Sequence, residues 1–159
     1  MLLKNARLIP YLTEGFEGGL ADVLIEGERI AAIYPAGMGP EGAEALDLGG
    51  KTLMPGMYDL HIHLYFHDHN FEHLSLLGQN QHFVNCLKYA KTALRHGYTS
   101  VRDVGNPDYI GPAVRDSVNA GVSIGPRIYT AGYCITPTAM GNETFANLYD
   151  EFDDPAEAL

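Results

Sequence analysis

Two histidines one residue apart, His61 and His63, stand in the stretch Pro55-Gly56-Met57-Tyr58-Asp59-Leu60-His61-Ile62-His63-Leu64. Successive side chains of a β-strand point to opposite faces, which puts Asp59, His61 and His63 on one face and Leu60, Ile62 and Leu64 on the other. Two imidazoles at i and i+2 on a rigid strand can both reach one metal ion, because a zinc-like centre takes imidazole nitrogens at about 2 Å. Two neutral ligands fill only half of a four-coordinate site. His67, Asp68, His69 and His73 follow just past the strand end. They either complete a site or touch substrate, or they form a solvated polar loop. Arg102 and Asp103 end a later strand, as site-facing groups or as a structural ion pair. Met140 and Tyr133 line a pocket or belong to a surface loop. His82 falls on the polar side of a helix, at the surface. His96 falls in that helix's last turn, where a cation is favoured by about 0.3–1 kcal/mol.

The elements that must position these groups are readable from periodicity and breakers. Residues 1–9 alternate weakly, and Leu20–Ile25 and Ile30–Tyr34 pair as a hairpin around Glu26-Gly27-Glu28-Arg29. Ala43–Leu48 is a short strand ended by Gly49-Gly50. These strands form a small all-β unit over residues 1–52. Residues 53–64 then read as one long strand. Phe83, Leu87, Ala90 and Leu94 recur at i, i+4, i+7 and i+11, the stripe of an amphipathic helix, with Gly97 as its stop. Tyr98–Val104 is a strand, Asp108 caps a helix running to Ala120, and Arg127–Tyr133 is a third strand. Asp153-Asp154-Pro155 opens a further helix. The order β-α-β-α-β over residues 53–159 implies parallel strands with right-handed crossovers. Gly50-Lys51-Thr52 does not complete a phosphate loop, because Ala45 stands where that motif needs glycine and no helix follows.

Composition narrows the function classes. The chain of 159 residues is 46% hydrophobic and carries a formal net charge of −10. Such a balance excludes nucleic-acid binding, which needs basic patches, and repels an anionic membrane surface. No window approaches the roughly 20 apolar residues of a membrane span. The first residues lack the apolar run of a signal peptide, so a cytoplasmic location is expected. Cys86 and Cys134 make no disulfide framework and read as reduced thiols, Cys86 in the core.

Gly50-Lys51-Thr52-Leu53-Met54-Pro55-Gly56-Met57-Tyr58-Asp59-Leu60-His61-Ile62-His63 resembles the first-strand signature of the metal-dependent amidohydrolase superfamily. Gly97–Asp103 is similar to that family's second strand. Gly125-Pro126-Arg127-Ile128, Gly132 and Ile135-Thr136-Pro137-Thr138 resemble the third strand of its imidazolonepropionase-like and dipeptidase-like branch. Where the dipeptidase-like branch continues with Gly-Gly-His-Gly, this sequence has Ala139-Met140-Gly141-Asn142.

The resemblance implies an α/β fold. A small N-terminal β-sandwich portion precedes the first three βα units of a (β/α)8 TIM-like barrel, incomplete because such a barrel takes about 250 residues. It implies a divalent metal, zinc, at the carboxyl ends of the strands, with His61 and His63 as ligands and Asp59 orienting them. The implied activity is hydrolysis of a C–N bond in a small amide, lactam or dipeptide by metal-activated water. The later metal ligands and the catalytic Asp of the family are not placed in these residues, so an N-terminal fragment inactive alone is expected. The alternative is a non-enzymatic, degenerate fragment that binds metal or self-associates. Open strand edges pair with other chains, so a homo-oligomer is expected.

Overall fold

The computed structural model describes residues 1–143 and 148–157. The chain divides into two compact units, Met1–Pro55 and Gly56–Leu159.

In the first unit, strands β1 (Leu2–Leu8), β2 (Leu20–Glu26), β3 (Arg29–Pro35), β4 (Ala45–Asp47) and β5 (Thr52–Leu53) make one sheet in the order β3-β2-β1-β4, with β5 also on β1. The expected hairpin is present, with Glu26 opposite Arg29 across a two-residue turn. Alternation along β1 is weak because the strand is bulged between Leu3 and Ala6. Asn5 takes the left-handed conformation there, φ 55°, a region that asparagine tolerates better than most residues. Buried Asp22 stabilises the bulge by accepting the Asn5 amide at 3.0 Å, and it also accepts the amides of Gly37 and Gly39. These three donors hold its carboxyl below the usual carboxylate range, against the opposing effect of burial. Ala6, Leu8, Ala21 and Val23 form this unit's core.

The expected long strand over 53–64 is two strands. Pro55 has no amide proton to give a ladder, and the chain breaks there. Thr52–Leu53 pairs with β1, while β6 (Met57–Ile62) opens the second unit. β6, β7 (Tyr98–Asp103) and β8 (Arg127–Thr130) form a parallel sheet in that order. Helices α2 (Gln79–Arg95) and α3 (Ile110–Asn119) connect them, so the expected β-α-β-α-β order holds. Their apolar faces meet the sheet in a core of Leu64, Tyr65, Cys86, Ala90, Val101, Ile110, Val114 and Ile128. Full burial of each large aliphatic side chain there contributes about 1.5–3 kcal/mol.

Several sequence expectations shift. The polar connection after β6 contains a short helix, α1 (Phe71–Leu76), whose Asn70 side chain accepts the His73 amide as N-cap. In α2 the buried stripe is His82, Cys86 and Ala90, with Phe83 and Leu87 only partly buried beside it. Asp108 does not cap α3. It and Tyr109 both take left-handed backbone, φ 53° and 54°, and Tyr109 is the residue before the helix. β8 ends at Thr130, and the chain re-enters extended structure as β9 (Cys134–Thr136), which pairs in parallel with β10 (Tyr149–Glu151). Residues 155–157 form a turn where a helix start was expected, and Ala158-Leu159 lie outside the described residues. Gly97 does close α2, with φ 92° following the C-cap His96, whose Nδ1 donates to the Thr92 carbonyl.

Candidate metal centre

β6 does not alternate cleanly. Between Asp59 and Ile62 it spends three steps while β7 spends two, from Val101 to Asp103, so the strand carries an extra residue beside the two histidines. Bulges of this kind re-aim side chains at a strand end. The Asp59 carboxylate accepts the backbone amide of His61 at 3.2 Å and so braces the bulge. It acts on the main chain of His61, whereas the sequence suggested an orienting role toward the ligands. The rings of His61 and His63 lie with centroids 5.6 Å apart at 69° to each other.

His63 has a defined tautomer. Its Nδ1 lies 2.8 Å from the carbonyl oxygen of Gly105. A carbonyl only accepts, so Nδ1 carries the hydrogen and, in the neutral ring, Nε2 keeps a free lone pair. An imidazole that donates one N–H to a backbone carbonyl while its other nitrogen faces a metal is the usual arrangement of a metal-bound histidine. Phe66 packs edge-on against the same ring, centroids 5.2 Å apart. A cleft of about 320 Å³ opens beside His63, bordered also by Asp59, Phe66 and Tyr89. His61 is exposed.

The anchor for this arrangement is a buried polar knot at the carboxyl ends of the three strands. Asp103 is fully buried; it accepts the Leu64 amide at 3.2 Å, the Thr130 hydroxyl at 3.0 Å and the Asn106 side-chain amide. Asn106, also fully buried, accepts the Tyr65 amide at 3.0 Å and donates its own backbone amide to Gly132. The two residues after His63 are thereby tied to β7 and β8. Burial pushes the Asp103 carboxyl above its usual range, and its hydrogen bonds oppose that rise. A Cβ on Gly111, in the first turn of α3, would lie 2.4 Å from both Asp103 Oδ2 and Thr130 Oγ1, so only glycine lets the helix approach. Gly105 is equally constrained, with φ 154° and Cys134 Sγ only 2.1 Å from where a Cβ would stand.

Asp103 therefore does not pair with Arg102, although His63 is near enough to act on its carboxyl electrostatically. It binds uncharged donors, and Arg102 is exposed. Asp68 and His73 form an exposed ion pair at 2.8 Å that supports the start of α1. His69 is exposed, and His67 turns back toward α2. His82 was expected at the surface but is 5% exposed, with its ring 4.3 Å from that of Tyr65. Met140 is 99% exposed and borders a surface cleft, while Tyr133 packs against Tyr109. Among the described residues no group of three or more His, Cys, Asp or Glu converges as a metal site. In the sequence Gly105-Asn106-Pro107 reads as a turn and Thr130 as part of a strand, and neither pattern shows that Asn106 and Thr130 join Asp103 in the buried knot.

A parallel sheet with its connecting helices, carrying two histidines at the end of its first strand, places the second unit in the α/β class. The sequence profile described as the amidohydrolase family matches residues 52–158, about two thirds of the chain. The chain belongs to the amidohydrolase family. It is 48% identical over 46 residues to the imidazolonepropionase of Arthrobacter sp. strain FB24, covering 29% of this chain and 12% of that protein. It is 30% identical over 103 residues to the ochratoxinase of Aspergillus niger, covering 60% of this chain and 20% of that protein. A crystal structure described as an amidohydrolase superposes with TM-score 0.69 at 25% identity, covering 99% of this chain and 38% of the other. The chain thus spans a fifth or less of these two curated relatives. Among the described residues no helix is long and apolar enough to cross a membrane.

Proposed function

We propose that these residues form the first wall of a metal-dependent amidohydrolase that cleaves a C–N bond in a small amide, lactam or dipeptide. The observation that carries the reading is His63: its Nδ1–H is committed to Gly105, which leaves Nε2 as a ready ligand next to the ring of His61. These donors fit a divalent ion such as zinc, for which neutral imidazole is a common ligand. When bound, such an ion polarises a carbonyl and lowers the pKa of water toward neutrality. The chain's own contribution is placement. Asp59 braces the bulge, Asp103 and Asn106 fix the backbone after His63, and Phe66 covers one side of the ring. With two neutral ligands, residues 1–159 leave a four-coordinate site half-filled, so turnover requires donors outside this set.

A second reading, a metal-binding or self-associating protein without turnover, is favoured by the sheet's open edges. β6 and β8 each lack an outer neighbour among the described residues, and Tyr58, Leu60 and Tyr129 are 65%, 72% and 52% exposed. The test is zinc titration of residues 1–159, with amide and dipeptide hydrolysis followed in parallel. Weak zinc binding without turnover is expected, with a further loss of about tenfold or more for His63→Ala, since even outer-shell partners are worth about 10–100-fold. Unchanged zinc affinity in that variant refutes the ligand assignment. Tight stoichiometric zinc with turnover by residues 1–159 refutes the half-filled site.

A further inference from the structure

Two ring nitrogens in the second unit are enclosed and have no hydrogen-bond partner among the described residues: Nε2 of His67 and Nδ1 of His82. Their rings lie 5.6 Å apart, centroid to centroid. Tyr65 covers His82 at 4.3 Å, and Tyr89 of α2 covers His67 at 5.8 Å. His67 belongs to the segment that leaves the metal strand, and His82 to the first turn of α2. We propose that this histidine pair is a pH-operated latch: neutral, it holds the 66–78 segment against α2; protonated, it lets the segment swing out.

A neutral imidazole tolerates this setting because its bulk is apolar and it stacks on tyrosine. Protonation turns both nitrogens into donors and adds a charge at two largely desolvated positions. The surrounding groups offset only part of that cost. The Asp68 carboxylate, next to His67, favours a cation there, although it already holds His73 and the Asn70 amide. Asp108, before α3, and the backbone carbonyls of Leu74 and Leu77 at the end of α1 favour a cation at His82. His82 and, more weakly, His73 oppose one at His67, and Tyr65 and Tyr89 offer ring faces. Burial dominates at both positions and lowers both pKa values. A group whose pKa is lowered by folding in this way stabilises the closed form above its ordinary value, about 6.5 for histidine, and that stability is lost as pH falls below it.

The latch reaches the metal strand through a chain of rings. Phe71 of α1 packs on Phe66 at 5.6 Å, and Phe66 packs on His63 at 5.2 Å. Opening 66–78 withdraws that aromatic wall. The opening itself does not depend on His63 binding a metal, so the two ideas fail separately.

Hydrogen exchange of the 66–78 amides in the 159-residue chain, corrected for intrinsic rates, tests the latch between pH 8 and pH 5. The opening equilibrium should rise by up to about tenfold per pH unit below 6.5 for each linked proton. The double variant His67→Phe/His82→Phe should be flat over the same range. Equal pH dependence in that variant, or none in the wild type, overturns the proposal. Should the variant not fold, the C2-proton NMR titration of the wild type decides: both histidines must titrate below the ordinary value, and titration of either at or above it overturns the latch.

Discussion

Replacing Asp103 by alanine should loosen the end of β6 more than any other single change in the second unit. The substitution strands the Leu64 amide and the Asn106 side-chain amide, both in buried hydrogen bonds, and removes one partner of the Thr130 hydroxyl. A buried donor left unpaired costs about 1–3 kcal/mol. The hydroxyl can turn to other partners, and loss of a buried charge returns part of the cost, so the expected total is about 3–5 kcal/mol. That is a large share of the roughly 5–15 kcal/mol that holds a domain folded. Asp103→Asn keeps the shape and one acceptor but turns an NH2 toward donors, and should cost about 1–3 kcal/mol. Urea unfolding at pH 7 reads both. With a slope of about 1–3 kcal/mol per M, alanine should lower the midpoint by roughly 2 M and asparagine by less. The Leu64 and Tyr65 amides should lose exchange protection in step. Burial raises the Asp103 pKa, so its stabilisation is greatest at acid pH and declines as pH rises through the folded value. The gap between wild type and Asp103→Asn should therefore narrow toward neutral pH. A midpoint for alanine close to wild type, or asparagine worse than alanine, would show that satisfying these donors is not what holds the strand end.

Two further outcomes follow from the same kind of argument. Asp22 titrates in the opposite sense: its carboxyl is held low by the Asn5, Gly39 and Gly37 amides, so its contribution is present above about pH 3.8 and lost as pH falls through the folded value. Asp22→Asn should flatten the dependence of the thermal midpoint on pH between about 2 and 5 relative to wild type, as read by circular dichroism. Burial pushes the Cys86 thiol up to about 12. Iodoacetamide at pH 8 should leave Cys86 unmodified in the folded chain and label it in urea, as mass spectrometry of the peptides will show; labelling in the folded chain would contradict its burial.

The order of elements was legible because strands and helices here keep their periods and end on glycine or proline. His61 and His63 were visible for the same reason: their spacing is itself the signal. What escaped was set by contacts across the fold. His82 reads as a polar residue on a helix, yet its ring is largely apolar and finds Tyr65, so the buried face of α2 turns to His82, Cys86 and Ala90. Asp108 has the composition of an N-cap, but the close approach of Gly111 to Asp103 fixes where α3 begins, and the two residues before Ile110 take left-handed backbone to reach it. The bulge in β6 is a matter of pairing with β7, which no single strand reveals. α1 is too short for its period to stand out from a polar loop.

The partner that sets the tautomer of His63 is a main-chain carbonyl, that of Gly105. No point substitution can delete it. The tautomer is written into the path of the backbone, and it can be disturbed only by moving that path, which at Gly105 means adding a side chain where Cys134 already stands. An engineer wishing to retune this histidine has no second side chain to exchange. The available controls are the ring packed against it, Phe66, and the sulfur behind the glycine: shortening Cys134 would make the room that a side chain at position 105 lacks.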